Sequence, residues 1–507
     1  MRYFKVFLTF GIVLLLMSTL AFAGFFSSLW NWLRGFAKIT GAQVVNITSC
    51  TDINSSGEYV LKNNILSSGT CLNIKADNVT LDCAGHSITG PGTGFNFGIN
   101  NTDHNNVEIK NCVVKNFTAG IFFENSNHNN IINNTIINNN ITGIWLNVSN
   151  FNTLANNTVK NNIFAGILLR SSNSSTITSN IVNNNSNEGI HLELSNSNTI
   201  TNNIVNNNYI GIRLIGFSKS NTLANNTAAN NNFIGIELQI SNYNTITNNT
   251  AINNNESGIT IWSSDFNTLT NNIARNNGGR GIYLGGNNNT ITSNIANNNI
   301  RGIAFRYSLF NTITNNTANN NEEHGISFSS SYNNNLISNT AQNNTWDFYE
   351  ENSLNNVVTN LISWQNNLSF TSKDIALKGL QSSDISFPAP PGWRNISKWI
   401  NATNNSADSW LFVNFSYIDA DINITGLSES SLAVWKWNGS KWFNGRTNAI
   451  FFSAFGVNTT TNVVWANITT AGLADPVFAP LGLIEQLGVN ITTNATNATV
   501  FVNQNAT

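Results

Sequence analysis

One dipeptide sets the frame for the whole chain. Gly-Ile begins at positions 98, 120, 143, 166, 189, 211, 235, 258, 281, 302 and 325, so successive copies lie 21 to 24 residues apart. A second marker, Asn-Thr-Ile/Leu, begins at 152, 198, 221, 244, 267, 289 and 311, and Ser175-Thr176-Ile177 and Asn334-Asn335-Leu336 hold the same phase less perfectly. Two motifs locked in phase over so many copies define a structural repeat, and a repeat of this length means a solenoid.

Each repeat runs Gly-Ile-x-Leu-x, a polar turn, Asn-Thr-Ile-Thr, Asn-Asn, Thr-Ala/Val, and Asn-Asn-Asn. Apolar residues alternate within very short runs, which is strand periodicity. The Asn clusters between them read as turns, because Asn tolerates left-handed backbone and bonds locally through its amide. Three short strands and three turns in about 23 residues make one coil of a parallel β-helix, with coils stacked at the strand spacing of about 4.8 Å. The 103 Asn residues in 507 then have a place. Asn at a turn position sits over Asn in the next coil, and the amides form a hydrogen-bonded ladder. A leucine-rich repeat would need a helical or Leu-x-x-Leu segment in every period, and none occurs.

The pattern resembles the right-handed parallel β-helix repeat proteins of the NosD-like class, which also embraces carbohydrate-binding proteins and sugar hydrolases. Asn78-Val-Thr-Leu-Asp-Cys-Ala-Gly-His86-Ser-Ile-Thr-Gly90 is similar to the first-coil motif of such proteins. The resemblance spans roughly 46–365, about 14 coils, and implies the fold; it is weak for activity, because this fold hosts lyases, hydrolases, epimerases and non-enzymatic surface proteins.

The faces of the Gly-Ile strand locate the candidate site. Ile and the residue two later point inward, and the inner column Phe123, Leu146, Leu169, Leu192, Leu214, Leu238, Ile261, Leu284, Phe305, Phe328 is uniformly apolar. One outward column reads Phe122, Trp145, Leu168, His191, Arg213, Glu237, Thr260, Tyr283, Ala304, Ser327; the next reads Glu124, Asn147, Arg170, Glu193, Ile215, Gln239, Trp262, Gly285, Arg306, Ser329. A ligand strip would stack sugar rings on Trp145, Trp262 and Tyr283 and make polar contacts through Arg170, His191, Glu193, Arg213 and Glu237. The competing reading is structural: Arg170 against Glu193, and Arg213 between His191 and Glu237, form cross-strand ion pairs that hold register. No catalytic residue is assigned. Glycoside hydrolysis needs two carboxylates about 5–9 Å apart, one of them protonated, whereas Glu193 and Glu237 are two coils apart with cationic neighbours. The clustered aspartates and Gly-His-Gly element of β-helix polygalacturonases are missing, as is the calcium-site aspartate cluster of pectate lyases. Glu322, Glu323 and His324 read as a solvated turn. No cofactor or metal is assigned: zinc wants CxxC pairs, and copper wants Met/His/Cys clusters that two Met and five scattered His do not make.

The ends of the chain suggest export. Arg2 and Lys5, the apolar run Val6 to Met17, and Ala21-Phe22-Ala23 read as a cleavable signal peptide over 1–23. Apolar spacings of three and four over 24–45 predict an amphipathic helix capping the core. All four cysteines, Cys50, Cys71, Cys83 and Cys112, fall near the start, and an even number in an exported protein reads as disulfides. Three pairings are possible; Cys50–Cys71 with Cys83–Cys112 is favoured, each linking neighbouring layers. Beyond 365 Asn thins out and Trp rises, and Asn438-Gly439 between apolar runs signals a hairpin, so 366–482 is predicted to be a small antiparallel β-sandwich. Part of it, Asp419 to Trp442, is similar to a β-domain that follows such repeats in archaeal cell-surface proteins. Residues 483–507 read as a flexible Asn/Thr-rich tail. Many Asn-x-Ser/Thr sequons occur, such as Asn46, Asn116 and Asn395, though the repeat generates them automatically.

The expectation is therefore an exported cell-surface protein, non-catalytic, binding extracellular polysaccharide or acting in adhesion. The alternatives are a polysaccharide lyase, hydrolase or epimerase, or a structural envelope component. Only 9% of residues are charged and the net charge is −2, so nucleic acid is excluded as a partner.

Overall fold

The computed structural model describes residues 44–485 apart from 386, 475 and 476. Each of the three short runs in a repeat pairs in parallel with the same run one repeat later, as a strand in most repeats and as single bridges at Ile295, Thr317 and Thr340. Thus Ile144 aligns with Ile167, Leu154 with Ile177, and Val159 with Val182. The result is a right-handed parallel β-helix of about 13 turns of about 23 residues. The early coil carrying Leu72 onto Ile99 is longer than the rest.

The core is a set of columns along the axis. The Gly-Ile isoleucines from Ile121 to Ile326 are fully buried, and so is the inner column from Phe123 to Phe328. Stacking puts like on like, as in the parallel pair of rings Phe305 and Phe328, 4.7 Å apart. The glycine before each isoleucine is a packing requirement. A Cβ on Gly143 would lie 2.3 Å from Val159 Cγ1 and 2.7 Å from the Gly166 carbonyl, so nothing larger fits at that corner.

Asn-Asn pairs divide two tasks between neighbours. The first residue, as in Asn133, Asn156 and Asn202, takes left-handed backbone with φ near +57°. The second turns inward. Asn134, Asn157, Asn180, Asn203, Asn226 and Asn249 are buried in one ladder, each backbone N–H donating 2.9–3.0 Å to the next Oδ1. Parallel ladders start at Asn139 and Asn129. Two of the ladders end on carboxyl groups: Asn344 donates to Asp347, and Asn356 to the fully buried Glu350, at 2.9 and 2.8 Å.

The first coils are fastened by Cys50–Cys71 and Cys83–Cys112, the favoured pairing. At the other end the strand Leu354–Ser363 is the last to pair in parallel; Asn366–Lys373 then runs back against it. Antiparallel strands extend both solenoid sheets. Asn366–Lys373, Trp410–Ser416, Val463–Ile468 and Phe452–Asn458 prolong one. Ile375–Gly379, Ile400–Asn404, Val477–Leu483 and Ala433–Trp437 prolong the other. The hairpin at Asn438-Gly439 forms, with Trp437 opposite Trp442. One hydrophobic core runs from Ile47 to Phe478.

The segments expected to be a signal peptide, 1–23, and a capping helix, 24–45, lie outside the described residues, save that Val45 opens the strand Val45–Ile47 and so is not helical. Most of the predicted tail lies outside them as well; its first residue, Leu483, ends the strand Val477–Leu483.

Candidate functional site

The two outward columns are true register columns. Phe122, Trp145, Leu168, His191, Arg213, Glu237, Thr260, Tyr283, Ala304 and Ser327 align strand by strand. A third column lies beside them, two residues before each Gly-Ile isoleucine. It faces outward because alternation breaks at the glycine, whose own Cβ position points at the core, at Val159 in the case of Gly143. It carries Phe97, Glu188, Arg280, Arg301 and His324. Period two counted back from the inward isoleucine turns this position inward, so the sequence pattern does not find it.

The face has three zones. At the N-terminal end Phe97 stacks on Phe122 at 4.4 Å, and Trp145 packs edge-on against Phe122 at 5.0 Å, leaving the indole partly exposed. Towards the C-terminal end Trp262 stacks on Tyr283 at 5.8 Å. Gly285 lies under the Trp262 ring, where a Cβ would come within 2.6 Å. Arg280 lies 4.4 Å over the Tyr283 ring.

Between the aromatic zones lies a chain of ion pairs. Arg170 Nε meets Glu193 at 3.3 Å. Arg213 bridges two carboxylates, Glu188 at 2.9 Å and Glu237 at 2.8 Å, and its other nitrogen donates to Gln239 at 3.2 Å. His191 Nδ1 lies 3.4 Å from Glu188. This centre is not open. Glu188 is 1% exposed and His191 5%, the latter beside Phe164. His191 therefore points away from the core as expected but meets Glu188 and not solvent. Burial pushes the Glu188 carboxyl up, but hydrogen bonds and charge from His191 and Arg213 outweigh it and hold the group below its ordinary range. For Glu237, burial prevails over Arg213 and the shift is upward. The two carboxylates thus differ, yet a substrate cannot reach Glu188, so the cluster works as a staple between three strands.

The expected solvated turn at Glu322, Glu323 and His324 needs correction. His324 opens the strand His324–Ser329 and stacks on Tyr349 at 4.1 Å, while Glu323 pairs with Arg301 at 2.6 Å. Glu322 alone is the exposed turn residue without an ion pair among the described residues.

A family model described as periplasmic copper-binding protein (NosD) matches residues 37–232, and one described as right handed beta helix region matches 189–345 and 263–373. Among solved structures the chain is similar to a double mutant of the periplasmic alginate epimerase AlgG, at 17% identity and a TM-score of 0.38, over 61% of this chain and 76% of that one. It is similar to the Dettilon tailspike protein at 12% and 0.39, over 84% and 88%. It is also similar to the A-module of the Azotobacter vinelandii mannuronan C-5 epimerase AlgE4, at 13% and 0.35, over 62% and 86%. No curated protein matches. At these identities the likenesses concern the fold alone.

The copper in the first description does not fit the residues present. All four cysteines are in disulfides, and His86, His104, His128, His191 and His324 are scattered. Among the described residues no three His, Cys, Asp or Glu side chains converge on a point that would hold a metal ion. Nor is any helix among them long and apolar enough to cross a membrane.

Proposed function

We propose that this right-handed β-helix repeat protein is an exported, non-catalytic cell-surface protein that binds extracellular polysaccharide along the outward face of its Gly-Ile sheet. One observation carries the reading. Two partly exposed aromatic zones, Trp145 and Trp262 with Tyr283, lie on the same face of one sheet, and the carboxylates between them are already engaged by Arg170 and Arg213. Ring faces stack on the apolar faces of sugars, and a face with its charges internally paired favours a long, largely neutral surface of contact. Two disulfides in the first coils support export, since thiols stay reduced in the cytosol.

A glycan array tests this with wild type, Trp145→Ala and Trp262→Ala. Binding by wild type that each variant weakens about tenfold, the loss of roughly 1.4 kcal/mol of stacking, is the expected result. Absence of binding by wild type would remove the reading, and shortened or unsaturated products from a uronic-acid polymer would replace it with an enzyme.

A further inference from the structure

Near the C-terminal end of the same face the outward column changes character. Tyr283, Ala304, Ser327 and Tyr349 are successive members. Two small residues therefore separate two tyrosines whose strands are about 14 Å apart at the strand spacing. In the coils from Phe122 to Glu237 this column holds large side chains; here it leaves a cavity of about 150 Å³.

The walls are cationic at one end. Arg280 and Arg301 are direct cross-strand neighbours, an arrangement of like charges that costs stability unless something offsets it. Each turns to a carboxylate on the outer rim, Arg280 to Glu256 at 2.8 Å and Arg301 to Glu323 at 2.6 Å. Arg306, in the adjoining column, is exposed and pairs with no carboxylate among the described residues; its contacts are the ring and hydroxyl of Tyr307 and the hydroxyl of Tyr283. At the far end Glu351 lies two strands along from Arg306, so positive and negative charge face each other across the gap. His324 lines the cavity with its Nδ1 buried and without a partner. Burial and nearby Arg301 lower its pKa to about 4, so it stays neutral at neutral pH and offers hydrogen bonds without charge.

We infer that this notch holds one carboxylate-bearing sugar, a hexuronate residue of an acidic polysaccharide, its carboxylate on Arg306 and its hydroxyls towards Ser327, His324 and Glu351. The Tyr283 ring at one end and the His324 imidazole, stacked on Tyr349 at 4.1 Å, at the other supply the flat contacts, and a planar carboxylate suits a guanidinium that has no other anion. The inference rests on the strip reading above and specifies where along it an acidic residue is recognised.

The test is calorimetric titration of the full chain with trigalacturonate and with its carboxyl-reduced form. Wild type should bind the acid form at least about tenfold more tightly, as expected for one charge-assisted contact. Arg306→Gln, a change at an exposed position, should erase that preference. Ala304→Phe, which fills the notch without touching charge, should weaken the acid form to a similar degree. Equal binding of the two forms by wild type, or a preference that survives in Arg306→Gln, overturns the notch. If Trp145→Ala still weakens glycan binding in that case, the strip stands without it. No binding of any glycan by wild type removes both.

Discussion

Asparagine does two different jobs at adjacent positions, and substitutions should separate them. Asn202 is exposed with φ of +57°, whereas Asn203 is buried, accepting from the backbone N–H of Asn180 at 2.9 Å and donating to the Ile177 carbonyl at 2.9 Å. Asn203→Ala leaves both groups without their partner and should cost about 1–3 kcal/mol for each. Asn202→Gly keeps the turn and should stay within about 0.5 kcal/mol. Chemical denaturation of the two variants reads the difference; equal losses would contradict the division of labour. The repeat and the ladder were both legible in the sequence, because a buried amide that meets its own copy every coil imposes identity at a fixed period. Which Asn of a pair goes inside was not, since the two residues are chemically the same and only the backbone distinguishes them.

At the scale of the strand, cross-strand columns decide what each charge is worth. Arg213 compensates Glu188, which is nearly inaccessible, so Arg213→Met should destabilise by about 3–5 kcal/mol through an uncompensated buried carboxylate. Arg170→Ala breaks a half-exposed pair with Glu193 and should cost less than about 1 kcal/mol. Thermal melts of the two variants give the comparison. The columns were read correctly from alternation, but the third was missed because the Gly corner interrupts the visible pattern, and with it went Glu188, Arg280 and Arg301. His324 was misplaced for the same reason: next to two glutamates it looks like a turn, yet it begins a strand. The ladder ends bring a pH dependence. Burial raises the Glu350 pKa to about 7, against the hydrogen bonds from Asn356 and Ser372. Its stabilising contribution is complete below the ordinary carboxyl value of 4.5 and is lost as pH rises through about 7. Melting temperature should therefore carry a downward component between pH 5 and pH 8 that Glu350→Gln removes. An unchanged pH profile in that variant would rule Glu350 out as its source.

Over the whole molecule, the C-terminal strands continue both solenoid sheets and share their core. The antiparallel character and the hairpin were legible from turn residues. The continuity was not, because sheet extension depends on strand ends meeting in space, and no local pattern encodes that. The molecule also offers a rival surface. Bulky residues occupy left-handed positions along one turn edge, among them Phe151, Tyr243 and Phe266, with Tyr243 and Phe266 stacked at 5.1 Å. These rings are more exposed than those of the Gly-Ile face, and a bound glycan would cover one set or the other. Hydroxyl-radical footprinting of the full chain, with and without a saturating bound oligosaccharide, distinguishes the two most directly. A ligand on the Gly-Ile face protects Trp145, Trp262 and Tyr283 and leaves Phe151, Tyr243 and Phe266 unchanged; protection of the turn edge with the Gly-Ile face unaltered would overturn the proposed binding face.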